Sequence, residues 1–594
     1  MNPCREGEAL IHDAQSKSWL HFQNPLTTYS AYRQEEVGPL ILRIHREVKE
    51  KRLYAAGFIA YDAAPGMDDA LHSQRDKETP LLSFTLYPTP TILDKNFLIP
   101  SQDPSQGEGK GPDWKATMTR SEYNRGIMAV KEYIRQGQTY QVNYTYRLKA
   151  DFTEDPWEFF CRIRTAQKAP YGAYLSLGKW TVCSASPELF FSLDGDRIST
   201  KPMKGTAPRG LTLGEDKKKS RELLNSEKNR AENMMIVDMI RNDLGRIART
   251  GSVRVPRLFN LEKYPTLWQM TSEILAETDA EIPEIMNNLF PCASITGAPK
   301  YRTMEIIREL ENTPRGLYTG SIGYWGPDRK AQFNVAIRTA LIDNSRKKAF
   351  YGTGGGIVWD STAEGEYAES LNKIQILTRK MPDFSLLETL KWSPSEGYSL
   401  LDRHLDRMEE SAEYFDRPFS RERVKTKLIR ESSLFYEPGN RRVRLLLDSR
   451  GEVQIETAPL PPAEAGPQAW TIKSAKTPID HKNPLVYHKT TRREFYKEFR
   501  AQWPEADDVL LWNEKREVCE TTVCNIIAVW GGDSFTPPRT SGLLGGTLRR
   551  EMLESGEIKE RVITLDELVT ADEIYLINSV RGRIKARWDK GDHV

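Results

Sequence analysis

Long apolar runs are missing from this chain. No stretch approaches the ~20 residues that cross a bilayer, and the opening Met-Asn-Pro-Cys-Arg-Glu-Gly-Glu has neither the basic start nor the apolar core of an export signal. The expectation is a cytoplasmic protein with no membrane partner. An excess of charge is missing too: 85 Lys and Arg face 83 Asp and Glu, for a net charge of +2. Without a basic footprint, nucleic acid is not an expected partner. The six cysteines (Cys4, Cys161, Cys183, Cys292, Cys519 and Cys524) form no CxxC pair or finger spacing. Neither a structural zinc nor a disulfide framework is therefore expected, and they read as reduced thiols. Histidine is absent between His72 and His404. Chemistry in that interval must run on Lys, Glu, Asp, Tyr, Ser, Thr or Cys, and a metal there must be a hard, oxygen-bound ion.

What the chain has is length. Its 594 residues are several times the ~100 to 150 of a typical domain, so two large units are expected. Hydrophobic residues at 39% and charged ones at 28% fit water-soluble globular units. Ser101 to Asp113 is Gly- and Pro-bearing without large apolar residues, which predicts an exposed loop. A second break at Thr378 to Asp383 predicts units over 1–380 and 383–594. Helical spacing marks Ser121 to Gln136, a long polar helix over Lys217 to Arg249, and helices at Met304 to Glu311 and Ala363 to Arg379. Strand patterns mark Tyr140 to Leu148, two runs within Trp180 to Leu193, Phe190 to Ser199, Gly320 to Trp325 and Asn334 to Ile342. The mixture makes the class α/β or α+β.

Lys201-Pro-Met-Lys204-Gly205-Thr presents Lys204 at a bend, because Pro202 fixes the chain and Gly205 lets it turn. Taken alone it is a surface lysine, and Glu188 in Ser-Pro-Glu-Leu-Phe-Phe is equally ambiguous. Glu366 and Glu369 sit three apart, hence on one helix face, and Glu232 lies on another helix. Carboxylates from two helices suit Mg²⁺, which takes one or two of them plus substrate oxygens and water; a solvated acidic face is the plainer reading. In Tyr351-Gly-Thr-Gly354-Gly355-Gly356, glycines let backbone N–H groups approach an anion, or simply make a tight turn.

Together with Gln141-Val-Asn143, Ser294-Ile-Thr296-Gly-Ala-Pro-Lys300, Arg241-Asn-Asp-Leu244 and Ile337-Arg338-Thr339, these residues resemble the chorismate-utilising enzymes. That family includes the synthase subunits for anthranilate, aminodeoxychorismate, isochorismate and salicylate. The resemblance spans about Thr117 to Leu377 and implies a large two-sheet α/β sandwich. It implies Mg²⁺ held by Glu232 and Glu369 with Glu366 nearby, and chorismate carboxylates held by Tyr318, Arg338 and the Gly354, Gly355 and Gly356 amides, with Thr296 in the substrate site. Lys204 selects within the family, since aminodeoxychorismate synthases carry Pro-Ile-Lys-Gly-Thr where anthranilate synthases have alanine at the lysine position. Such an amine must be neutral to attack the ring, which burial or a cation such as Lys201 would favour; Glu188 is the matching acid/base. Where many relatives carry a histidine, this chain has Gln269, which cannot titrate, so this unit is expected to stop at the non-aromatic amino product. No Gly-x-Cys-x-Gly glutaminase pattern occurs, so ammonia is expected from solution or from a separate glutamine amidotransferase subunit.

Beyond residue 383, Leu387-Glu388-Thr-Leu, Leu405-Asp-Arg407, His488-Lys489-Thr-Thr, Cys519-Glu520-Thr-Thr and Gly545-Gly546-Thr547-Leu548 follow in order. A helix start with free amides is a natural phosphate site, and an inward Arg407 supplies countercharge. The order resembles the fold-type IV pyridoxal-phosphate enzymes, among them branched-chain and D-amino acid aminotransferases and aminodeoxychorismate lyase. The resemblance implies that Lys489 forms the Schiff base of pyridoxal 5'-phosphate (PLP) and that Glu520 pairs with its ring nitrogen. It also implies that Arg407, Ser579 and the Gly546, Thr547 and Leu548 turn hold the phosphate. The family often has Pro-Gly-Ile-Thr where this chain has Gly-Gly-Thr-Leu. The two resemblances together imply 4-aminobenzoate formation, a step toward folate, in two stages. The alternative is an anthranilate synthase component fused to a branched-chain or D-amino acid aminotransferase-like domain.

Overall fold

The computed structural model describes residues 4–94, 111–378, 384–436, 438–461 and 469–589. It divides into two compact units, Met1–Pro208 with Ser220–Met381, and Arg209–Lys219 with Pro382–Val594. The expected border beyond Thr378, and most of the loop expected at Ser101 to Asp113, lie outside the described residues. Among the described residues no helix is long and apolar enough to cross a membrane.

The first unit is built on two ten-stranded sheets, antiparallel throughout their described pairs. Inward-facing residues of both sheets, among them Phe22, Leu175 and Val182 from one and Phe58, Tyr87 and Ile322 from the other, share one buried cluster. This is the core of the expected sandwich, and it forms because alternate residues of each strand point to one face. Helices cover the outer faces: Val37, Ile41 and Ile44 of Gln34–Lys51 and Ile236, Val237 and Ile240 of Glu227–Gly245 back the second sheet. Trp157, Phe160 and Ile163 of Pro156–Gln167 back the first.

Most expected elements are present, including the helix Arg120–Arg135 and the strands Gln141–Asp151 and Ser321–Trp325. Three long predictions are divided. The polar helix breaks into Leu213–Asn225 and Glu227–Gly245 because Ser226 caps the second, accepting from the Asn229 N–H. Asn334 to Ile342 divides into Lys330–Val335 and Thr339–Asp343 around Arg338, whose φ of 53° no strand accommodates. Phe190 to Ser199 is a hairpin of Leu189–Asp194 and Arg197–Lys201.

The second unit holds a four-stranded sheet and an eight-stranded sheet. The latter contains the parallel pairs of Trp470–Ser474 with Asp508–Trp512 and with Gly582–Asp589. Leu405, Met408 and Ala412 of the helix Leu401–Tyr414 pack on the smaller sheet through Leu390 and Val443. That packing turns Arg407 and His404 toward Glu388 on the strand Leu386–Ser393.

Candidate active sites

In the first unit, Lys204 lies on the strand Met203–Pro208, whose pairing slips between Met203 and Thr206. The bend read from Pro202 and Gly205 is this bulge, and Gly205 takes a φ of +85° that favours glycine. The Gln269 amide donates to the Gly205 carbonyl at 2.9 Å, so the residue standing in the family's histidine position pins the bulge. The glycine run is not a turn. It lies inside the strand Lys348–Ile357, paired with Gln141–Asp151 along its length, while pairing with Thr339–Asp343 stops at Tyr351. Alternate amides beyond Tyr351 thus have no strand partner on that side. The glycines also admit close neighbours: an added Cβ at Gly352 would lie 2.1 Å from the Tyr318 ring, at Gly355 2.6 Å from Glu366 Oε2, and at Gly356 2.6 Å from Lys204 Nζ. The run is therefore a strand against which Tyr318, Glu366 and Lys204 each pack closely, at different glycines.

Burial lowers the Lys204 pKa against the pull of Glu232, and the neighbouring cation that helps is Lys373. Lys201, expected in that role, is instead paired with Glu262. Glu188 is buried and accepts from Ser294 Oγ at 2.7 Å. Burial pushes its carboxyl up to about 7, against the hydrogen bond from Ser294 and the Lys204 charge. An amine of lowered pKa thus lies near an acid poised at neutrality. Gln141, read before only as part of a motif, is buried with both side-chain polar atoms unpartnered. Its Nε2 would stand 2.9 Å from a Cβ at Gly356, so it faces the same spot as Lys204.

Glu232 sits on Glu227–Gly245, and Glu366 and Glu369 on Ala363–Ile374. Burial raises Glu232 and Glu366, and Glu369 adds repulsion to each; Lys373, paired at 2.7 Å, lowers Glu369. Their oxygens do not all come within 4.8 Å of one another. The donor set fits Mg²⁺, which needs one or two carboxylates, and the mutual repulsion is what a divalent cation would relieve. Arg338 Nη1 donates to the Lys373 carbonyl at 2.5 Å, and Arg147 lies over the Tyr318 ring at 4.7 Å. Thr296 is buried with its hydroxyl toward the Cys292 and Ala293 carbonyls. The missed participants, Lys373 and Ser294, carried no pattern of their own, being a helix lysine and a motif serine.

In the second unit His488 is buried, stacked on Tyr414 at 4.3 Å. Burial, assisted by Arg407, lowers the following Lys489 amine to about 8. Burial raises Glu520 to about 7 while it accepts from Tyr496 Oη at 2.8 Å and the Leu544 N–H at 3.2 Å. Arg407 grips both oxygens of Glu388, at 2.8 and 2.5 Å, and donates to the Gly545 carbonyl at 3.0 Å. Burial alone would raise Glu388, but Arg407 and His404 hold it at about 2. Arg407 is thus fixed against the turn that opens the helix Thr547–Glu554, whose N-cap Gly546 has no side-chain cap. A Cβ at Gly546 would strike Asn525 Oδ1 at 1.9 Å. The Thr547 hydroxyl is 3.3 Å from His404 Nε2, and Ser579 Oγ is 3.5 Å from the Thr389 carbonyl. An uncapped helix start with a fixed arginine, a lysine and a carboxyl near neutrality fits PLP.

Residues 7–379 match the family described as chorismate binding enzyme, and residues 385–587 match amino-transferase class IV. Aminodeoxychorismate synthase component 1 of Escherichia coli (strain K12) is 41% identical over 271 residues, 45% of this chain and 59% of that protein. The protein of that name from Bacillus subtilis (strain 168) is 40% identical over 268 residues, 45% of this chain and 57% of the relative. The chain thus matches somewhat under two thirds of the length of these relatives. The crystal structure of anthranilate synthase component I from Streptococcus pneumoniae TIGR4 superposes with a TM-score of 0.52 at 24% identity, covering 64% of this chain and 93% of that one, which establishes the fold. The chain belongs to the chorismate binding enzymes and carries an amino-transferase class IV domain behind them.

Proposed function

We propose that the first unit converts chorismate and ammonia to 4-amino-4-deoxychorismate, and that the second eliminates pyruvate from it to leave 4-aminobenzoate. The observation that carries this reading is Lys204, held by a bulge against Gly356 and beside Glu188. An anthranilate-forming site has no use for an amine there. The names of the 40–41% identical relatives support the same choice.

In the first unit the Lys204 amine, once deprotonated, adds to ring carbon C2 as both ring double bonds shift and the C4 hydroxyl departs. Glu188, protonated up to about pH 7, supplies the proton with which it leaves as water. Ammonia then adds at C4, both double bonds return, the lysine leaves as the neutral amine, and the proton of the new C4 ammonium passes to the Glu188 carboxylate. Tyr318, Arg338 and the open amides of the glycine strand hold the substrate carboxylates, and Thr296 lies beside them. Glu232, Glu369 and Glu366 are the residues that would hold Mg²⁺, which neutralises carboxylate charge and polarises the leaving oxygen. Gln269 is unable to act as a base, so the amino product leaves without aromatising.

In the second unit Lys489 would hold PLP covalently, Glu520 its ring nitrogen, and Arg407, Ser579 and the Gly546, Thr547 and Leu548 turn its phosphate. Bound there, PLP supplies an electron sink. Glu520, near neutrality, would hold the cofactor's ring nitrogen, and Lys489, near 8 and freed once the substrate amine takes its place, would accept the C4–H proton of the substrate as pyruvate departs. Ammonia would come from a separate glutamine amidotransferase subunit or from solution, and the cytoplasm is the proposed setting. The purified chain given chorismate, ammonium, Mg²⁺ and PLP should yield 4-aminobenzoate; anthranilate as the product would replace this reading with the alternative, and amino transfer to 2-oxoglutarate would make the second unit an aminotransferase.

A further inference from the structure

A second set of metal-ligating side chains lies far in sequence from the glutamate helices, at the start of the first unit. Cys4 precedes the first strand, Glu8 is the residue just before Ala9–Asp13, and His21 lies on Ser18–Phe22. The two strands pair with Leu10 opposite His21. Glu8, two residues from Leu10, therefore shares the face of His21. All three residues are buried, with 4 to 6% of their surface exposed.

The contacts converge on one atom. His21 Nε2 is 3.6 Å from Cys4 Sγ and 3.1 Å from Glu8 Oε2, and the three donor atoms all lie within 4.8 Å of one another. A hydrogen-bonded relay would use both ring nitrogens, one to donate and one to accept. Here a single nitrogen faces both the sulfur and the carboxylate. Three donors around a common point is instead the geometry of a metal site. With Zn–S near 2.3 Å and Zn–N and Zn–O near 2.0 Å at a tetrahedral angle, sulfur and nitrogen come about 3.6 Å apart and nitrogen and oxygen about 3.3 Å. The observed 3.6 and 3.1 Å lie close to both.

The donor chemistry agrees. Thiolate, imidazole and carboxylate together select zinc over the hard Mg²⁺ expected at Glu232 and Glu369. A thiolate and a carboxylate also cancel a divalent charge, so the cluster is neutral as a buried cluster must be. The Arg5 N–H donates to Glu8 Oε2 at 3.0 Å, which orients the carboxylate as outer contacts orient metal ligands.

We infer that Cys4, Glu8 and His21 bind one zinc ion, with the fourth position left to water, and that the ion fastens the segment before the first strand to the sheet. Binding displaces the thiol proton to solvent, so sulfur enters as thiolate. None of its ligands belongs to either proposed reaction.

The test uses the full-length protein in excess Mg²⁺, so that a zinc-selective chelator leaves the glutamate site supplied. Elemental analysis should find close to one zinc per chain. Chelator treatment should lower the melting temperature, and added zinc should restore it. Cobalt in place of zinc should give a near-ultraviolet sulfur-to-metal band in the parent and none in Cys4→Ser. Glu8→Gln, which keeps the thiol, should retain the band while binding at least tenfold more weakly. Absence of zinc from protein prepared with zinc present, together with no cobalt band and no change in melting on zinc addition, would overturn the inference; these parent readouts need no variant to fold.

Discussion

Each unit sets a lysine of lowered pKa beside a buried carboxyl raised to about 7, Lys204 with Glu188 and Lys489 with Glu520. The surroundings differ. Lys204 is ringed by carboxylates, Glu232 and Glu369 among them, with Lys373 as the local cation. Lys489 stands among arginines, with Arg407 and Arg493 both lowering it. Under the proposed function the first site would take a cation and supply its own nucleophile. The second would take an anion, the phosphate of the proposed function, and its arginine is clamped by Glu388, which His404 also bonds. The difference teaches that the same lysine and carboxyl serve opposite electrostatic settings, and that the charges around them, more than the pair itself, tell the two chemistries apart.

The sharpest way to break the comparison is to remove each lysine. Lys204→Ala should lower aminodeoxychorismate formation by on the order of a thousandfold or more, while conversion of added 4-amino-4-deoxychorismate by the second unit persists. A merely several-fold loss in a direct synthase assay would deny Lys204 its covalent role.

Next is the acid beside it. Glu188→Gln should cost about a hundredfold in synthase turnover. Because Glu188 titrates near 7, the parent's rate should decline as pH rises through 7 and the acid loses its proton. The variant should lack that limb, and a pH–rate profile that keeps it would assign the limb elsewhere.

Glu388 clamps the arginine of the second unit. Glu388→Ala leaves Arg407 without its buried partner, so the second unit should lose about 3 to 5 kcal/mol of stability and bind PLP more weakly, read by denaturation and by fluorescence titration. The folded pKa of about 2 lies below the ordinary 4.5, so this contribution is present above pH 4.5 and is lost as pH falls toward 2. Lys489 supplies a matching sign in the alkaline direction: capture of PLP by the apoprotein should quicken as pH passes about 8 and the amine loses its proton.

The smallest effect concerns Gln269. Gln269→Ala strips the donor from the Gly205 carbonyl, worth about 1 kcal/mol, and should slow the synthase several-fold while leaving the second unit unchanged. Equal slowing of both units would show that Gln269 supports the fold generally.

Much of this was legible in the chain. Lys204 with Pro202 and Gly205, the helix glutamates, and the Lys489, Glu520 and Gly546 order each pointed to residues that the structure places in two clusters. The glycine run was read for its amides, while its close contacts with Tyr318, Glu366 and Lys204 appear only when the strands are paired. Lys373 was unreadable because its role comes from a helix lying across that strand, and Lys201 drew attention merely by lying near Lys204 in sequence. Cys4, Glu8 and His21 have no motif spacing, since a hairpin register brings them together. Pattern reports local chemistry well; convergence of distant residues is set by packing.

The division of labour between the two lysines is tested most directly by Lys489→Ala given chorismate, ammonium, Mg²⁺ and PLP, with products followed by chromatography and a pyruvate assay. It should accumulate 4-amino-4-deoxychorismate, release little pyruvate, and form 4-aminobenzoate only when a separate lyase is added. Undiminished 4-aminobenzoate from the variant alone would contradict the account.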